Sequence, residues 1–249
     1  MLESFKFASI NDSNLSIWDN HFAKAMSYWV LITSLIGFLP TLYFRYTPQP
    51  HEPMQSHVIL HGISFTLWVL LFIAQTQLVG RRQYKLHRKL GITSVVLLLV
   101  MIYSGFNTVL YPWVQGNISN SEAGFGLSQL TLGFIFVFLG IGLHRKPFIH
   151  KRLMICAAVA LTFASADRTA WELGFGHIRE LRRGLCVLPF MALILYDSLV
   201  WRRFPWIGLI ALVVSWALLV FLVSRPFFMS DGGEWTLRQM ANILGISAA

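Results

Sequence analysis

The chain has 249 residues, 55% of them hydrophobic and only 12% charged, and its formal net charge is +9. A soluble domain usually has about 25% charged residues, so this composition argues against a water-soluble globule and for an integral membrane protein. The basic balance would suit nucleic acid, but the cations are placed as topology signals instead.

Residues 1–25 read as a cytoplasmic or interfacial segment without a cleavable leader, with 16–25 as a short surface helix. Seven runs then approach the roughly 20 apolar residues a crossing needs. They lie at about 26–45, 57–79, 90–112, 126–144, 153–174, 185–201 and 206–224. Each is continuous rather than alternating, which predicts helices and not barrel strands. Residues 114–125, QGNISNSEAGFG, read as an outer loop. The external C-terminal segment 225–249 contains a short surface helix over 233–245. The expectation is one all-helical transmembrane domain of seven helices.

The connections between spans two and three, four and five, and six and seven share a side with the N-terminus. That side holds 13 of the 20 lysines and arginines; the other holds six, and Arg168 lies within span five. The bias predicts N-in/C-out in a plasma membrane. His87-Arg88-Lys89-Leu90 recurs as His150-Lys151-Arg152-Leu153, at an offset of 63 residues. Residues 65–90 and 128–153 each read as span, basic loop and histidine. This predicts a parallel duplication of a helix pair, spans 2–3 and 4–5. Cys156 and Cys186 read as packing residues at opposite faces, too far apart to pair.

Polar groups inside a span need a reason. His57 and His61 share a helical face and could hold a transition metal or offer one axial ligand to haem. The competing reading of His57 is interfacial. Arg168 lies about 22 Å along span five at 1.5 Å per residue. It could pair with Glu172 at i+4, either as part of a site or to lock packing. Tyr103, Ser104, Asn107, Tyr111 and His177 fall near the same depth. With His57, His61, Asp167, Arg168 and Glu172 they would make an outer-leaflet polar pocket, if they converge. On the inner side, His87 and His150 occupy equivalent places of the repeat and could face each other as metal or haem ligands. The bland alternative is a solvated pair of loop histidines.

The stretches HVILHGISFTLWVLLFIAQTQLVGRRQYKLHRKLG and HKRLMICAAVALTFASADR resemble an uncharacterised family of bacterial polytopic membrane proteins. The layout is also distantly similar to transmembrane di-haem b-type cytochromes. That resemblance implies haem b, with His61 as an outer ligand, His87 and His150 as an inner pair, and Arg168 on a propionate or substrate anion. The outer haem would need a second histidine on span four, and no histidine precedes His144 there. Span seven has no lysine for a retinal Schiff base, and P-loop, GxSxG and HExxH patterns are missing.

The function expected first is a membrane redox or metal-binding protein exchanging electrons with quinone, in a bacterial inner membrane. Two alternatives stand beside it. One is a small-solute transporter or channel using the outer pocket. The other is a non-catalytic subunit or assembly factor that docks a membrane protein partner.

Overall fold

The computed structural model describes residues 12–40, 54–214 and 225–247. Residues 1–11, the end of the first expected span (41–45) and most of the seventh (215–224) lie outside the described residues. Ten helices follow in chain order, with no strand among the described residues. They are α1 (Asp12–Phe38), α2 (Ser56–Gly80), α3 (Tyr84–Val114), α4 (Asn120–Gly142) and α5 (Pro147–Leu161). Then come α6 (Phe163–Glu172), α7 (Arg179–Leu199), α8 (Trp206–Val213), α9 (Arg225–Phe228) and α10 (Asp231–Ile243).

Local chemistry sets several of these ends. Ser119 and Glu122 form a reciprocal capping box that starts α4. Pro147 opens α5, where its missing N–H costs nothing. The Ser230 hydroxyl accepts from the Gly233 N–H and starts α10.

Among the described residues three helices, α2, α3 and α4, are long and apolar enough to cross a membrane, and the α5–α6 pair makes a fourth if it is one bent span. This is fewer than the seven expected. α1 and α7 have the length, but Asp19 and Lys24 dilute the first, and Arg179, Glu180, Arg182 and Arg183 the second. The surface helix expected at 16–25 is not separate; it is the first part of α1. The C-terminal helix forms over 231–243, two residues earlier than expected.

Span five is not one straight helix. It breaks at Thr162 and bends by 50°. No proline is involved. At the break the Thr162 hydroxyl donates back to the Ala158 carbonyl at 2.7 Å, a kind of bond that Thr66 and Thr108 also make within the unbroken α2 and α3.

The closest partnerships are the antiparallel hairpins α2–α3 and α4–α5, which match the expected helix pairs. The half-chains meet at one end of the bundle. There Gly80 lies against Lys24, His87 lies beside His150, and Arg152 reaches Asp19 on α1 and Asp197 on α7. The connections 81–83, 143–146 and 200–205 all run at this end, so it is also the basic end.

After the bend the chain changes neighbours: α5 packs mainly on α4, and α6 on α1 and α7. The α1–α6 seam uses small and hydroxylated residues. The Ser34 hydroxyl donates to that of Ser165, and Thr169 donates to the Thr33 carbonyl. A Cβ on Gly37 would fall 2.6 Å from the Ser165 carbonyl oxygen. Close backbone approach of this kind is how helices associate where lipid removes the hydrophobic drive. The outward faces stay apolar: Ile92, Val96 and Leu99 on α3 are 73%, 69% and 62% exposed, which suits a lipid environment.

Candidate functional site

At the basic end, the first turns of α3 and α5 deliver His87 and His150. Their ring centres are 6.3 Å apart and their planes 89° to each other. His150 Nδ1 lies 2.7 Å from the Gly140 carbonyl. That oxygen can only accept, so the proton sits on Nδ1 and Nε2 keeps the lone pair in the neutral ring. A histidine ligand is commonly oriented this way by its second nitrogen. His87 is held differently. Its own carbonyl accepts from Gln75 Nε2 at 3.2 Å, while its ring Nδ1 is buried without a hydrogen-bond partner. The structure thus brings the two histidines together, as their matched positions predicted.

Two residues beyond His150 lies the most enclosed charge among the described residues. Arg152 is 1% exposed. Its Nη2 lies 2.6 Å from Asp197 and 2.8 Å from Asp19, and Lys151 reaches Asp19 at 2.6 Å. Trp201 Nε1 also donates to Asp19, and the Phe148 ring lies 3.8 Å from the guanidinium carbon. This cluster clamps α1, α5 and α7 together. Sequence reasoning counted Arg152 only as a topology cation and passed over both aspartates. The available signal was Asp197 itself, a carboxylate inside the apolar run LILYDSLVW.

The outer pocket is assembled in part. On α2 and α3 its members meet rung by rung. His57 lies over Tyr111 with ring centres 4.7 Å apart, and the Ser64 and Ser104 hydroxyls are 3.2 Å apart. Asn107 is buried and donates to the Tyr103 carbonyl at 2.9 Å. His61 packs on Phe65, ring centres 4.1 Å apart, and its Nδ1 is buried without a partner.

The α6 members are arranged otherwise. α6 lies mainly on α1 and α7, while α2 lies mainly on α1 and α3. Asp167 pairs with Arg182 of α7 at 3.3 Å, and the Arg168 guanidinium sits over Phe38 at 4.9 Å. Glu172 and His177 are exposed. The ion pair seen on this helix is therefore Asp167–Arg182, rather than the expected Arg168–Glu172 pair. The spacing was right for Glu172, but Arg182 comes from a different helix and sequence spacing cannot see it.

Cys156 and Cys186 are both buried and free. Among the described residues, no group of three or more His, Cys, Asp and Glu side chains is placed to hold a metal ion. No family model, curated protein or solved structure matches the chain.

Proposed function

We propose that this chain is a redox membrane protein in which His87 and His150 hold a b-type haem iron or a transition-metal ion and exchange electrons with quinone. The observation that carries the reading is the meeting of these two imidazoles, brought from separate hairpins. Two imidazole nitrogens about 2.0–2.1 Å from one metal, on opposite sides, put the ring centres roughly 6 Å apart. The observed 6.3 Å is compatible with that spacing. The Gly140 carbonyl supports it further by leaving His150 Nε2 as the basic nitrogen. Such a centre supplies one-electron chemistry when bound. The protein's own contributions are the orientation of His150, the seat of His87 and the clamp at Arg152 that fixes the start of α5.

On this reading the bundle has seven spans, N-in and C-out, in a bacterial inner membrane. The α4–α5 unit repeats the α2–α3 unit in parallel, and the basic end faces the cytoplasm. The transporter alternative loses support because the α6 residues pack away from α2.

Absorbance and metal analysis of the detergent-purified protein test the proposal. A Soret band or a stoichiometric metal is expected, lost in both His87→Ala and His150→Ala. A colourless, metal-free wild-type preparation made with haem and metals supplied would end it.

A further inference from the structure

We infer that the outer half of the α2–α3 hairpin binds the head group of a lipid-soluble quinone, with His61 and Asn107 as its hydrogen-bonding residues. This deepens the redox reading by giving its quinone a place, and rests on that reading only for the purpose of binding.

Register places the two residues together. The contacts His57–Tyr111 and Ser64–Ser104 fix the antiparallel pairing of the hairpin. Between those rungs, the same pairing sets His61 level with Asn107. Asn107 spends one amide N–H on the Tyr103 carbonyl, which leaves its side-chain oxygen and second N–H to serve a ligand. His61 Nδ1 is buried and unpartnered. Trp68, two turns further along the same face, has a buried Nε1 that is unpartnered as well. Buried polar atoms normally find partners, and hydrocarbon offers none, so the unpartnered His61 Nδ1 marks where a ligand's acceptor would be satisfied, while Trp68, about 10 Å further along, serves as a reporter beside it.

The surroundings define the ligand class. The rungs His57, His61, Ser64, Ser104, Asn107 and Tyr111 contain no carboxylate, lysine or arginine, which disfavours an ionic ligand. Aromatic rings flank the level of His61, with Phe65 on one side and Tyr111 one turn away. The outward flank is apolar and open, with Leu60, Ile63 and Tyr103 at 37%, 55% and 50% exposure. A flat, uncharged ring bearing carbonyl acceptors and arriving through the lipid meets all three conditions.

The test is a titration of the detergent-solubilised full chain with decylubiquinone, followed by tryptophan fluorescence. Saturable quenching is expected, with the apparent Kd raised at least tenfold in His61→Leu and in Asn107→Leu and unchanged in Arg238→Ala. Unsaturable quenching, identical in all variants, would mean partition into the micelle and would overturn the inference. So would unchanged affinity in both variants. If those two fail to fold, Trp68→Phe decides: most of the quenchable emission should vanish, and undiminished quenching would place the quinone elsewhere. The titration needs neither haem nor metal, so its failure is distinct from failure of the absorbance test.

Discussion

The Arg152 clamp and the outer half of the α2–α3 hairpin obey opposite rules, although His87 Nδ1, near the clamp, is unpartnered as well. At the basic end, the guanidinium of Arg152 is enclosed and each of its nitrogens reaches Asp19 or Asp197. In the outer half of the α2–α3 hairpin the groups are neutral, yet His61 Nδ1 and Trp68 Nε1 are buried with no partner. A saturated network resists change and serves architecture. A neutral layer with unmet hydrogen-bonding capacity costs stability in the empty protein and can recover it by binding something. The contrast separates a clamp from a site, although both are buried polar clusters.

Removing one member of the clamp should give the largest effect. Arg152→Leu takes from buried Asp197 its ion-pair partner and leaves Asp19 only Lys151, Trp201 Nε1 and its remaining contacts, and should cost roughly 3–5 kcal/mol. Folded protein should nearly disappear from the membrane fraction in size-exclusion profiles. Adding Asp19→Asn and Asp197→Asn should restore much of it. Full recovery of folding by Arg152→Leu alone would show that the network is not a clamp.

Next comes the α1–α6 seam. Gly37→Ala brings a Cβ to 2.6 Å from the Ser165 carbonyl oxygen and 3.2 Å from the Thr169 nitrogen. Backbone cannot step aside as a side chain can, so about 1–3 kcal/mol should be lost, read as a lower melting temperature. Gly142→Ala, with nothing within 4 Å of the new methyl, is the matched control.

Smaller again is Ser104→Ala in the outer layer. It removes the contact with Ser64, but the Ser64 hydroxyl keeps the His61 carbonyl at 3.1 Å. About 1 kcal/mol or less is expected in thermal melts. Smallest is Arg238→Ala on α10, whose pair with Glu234 lies at the surface. No change in melting temperature should be seen, because solvent screens such pairs.

The hairpins and the meeting of His87 with His150 were legible because they rest on features that repeat along the chain. Apolar length marks a helix, clustered cations mark an end, and the 63-residue offset gives two histidines the same place in two units. The clamp was not legible. Asp19 and Asp197 lie 133 and 45 residues from Arg152, and no local period connects them. Their convergence depends on where α1 and α7 pack. The bend at Thr162 was hidden for a different reason. Thr66 and Thr108 make the same kind of hydroxyl bond in the unbroken α2 and α3, so a threonine in an apolar run does not by itself mark a break.

Half of the outer pocket was visible for the same local reasons as the hairpins. His57 and His61 follow helical spacing on α2, and Tyr103, Ser104, Asn107 and Tyr111 fall at their depth on α3; Ser64, which meets Ser104, was passed over. The other half was assigned to α6 by depth alone. Depth does not fix direction around a helix axis, and α6 turns Asp167 toward α7.

The bend at Thr162 divides one crossing into pieces of 15 and 10 residues, and neither could traverse a bilayer alone. The first piece belongs mechanically to α4 and the second to α1. The joint therefore lies where the chain leaves the α4 seam for the α1 seam, while the Arg152 clamp keeps α5 tied to α1 and α7 as well.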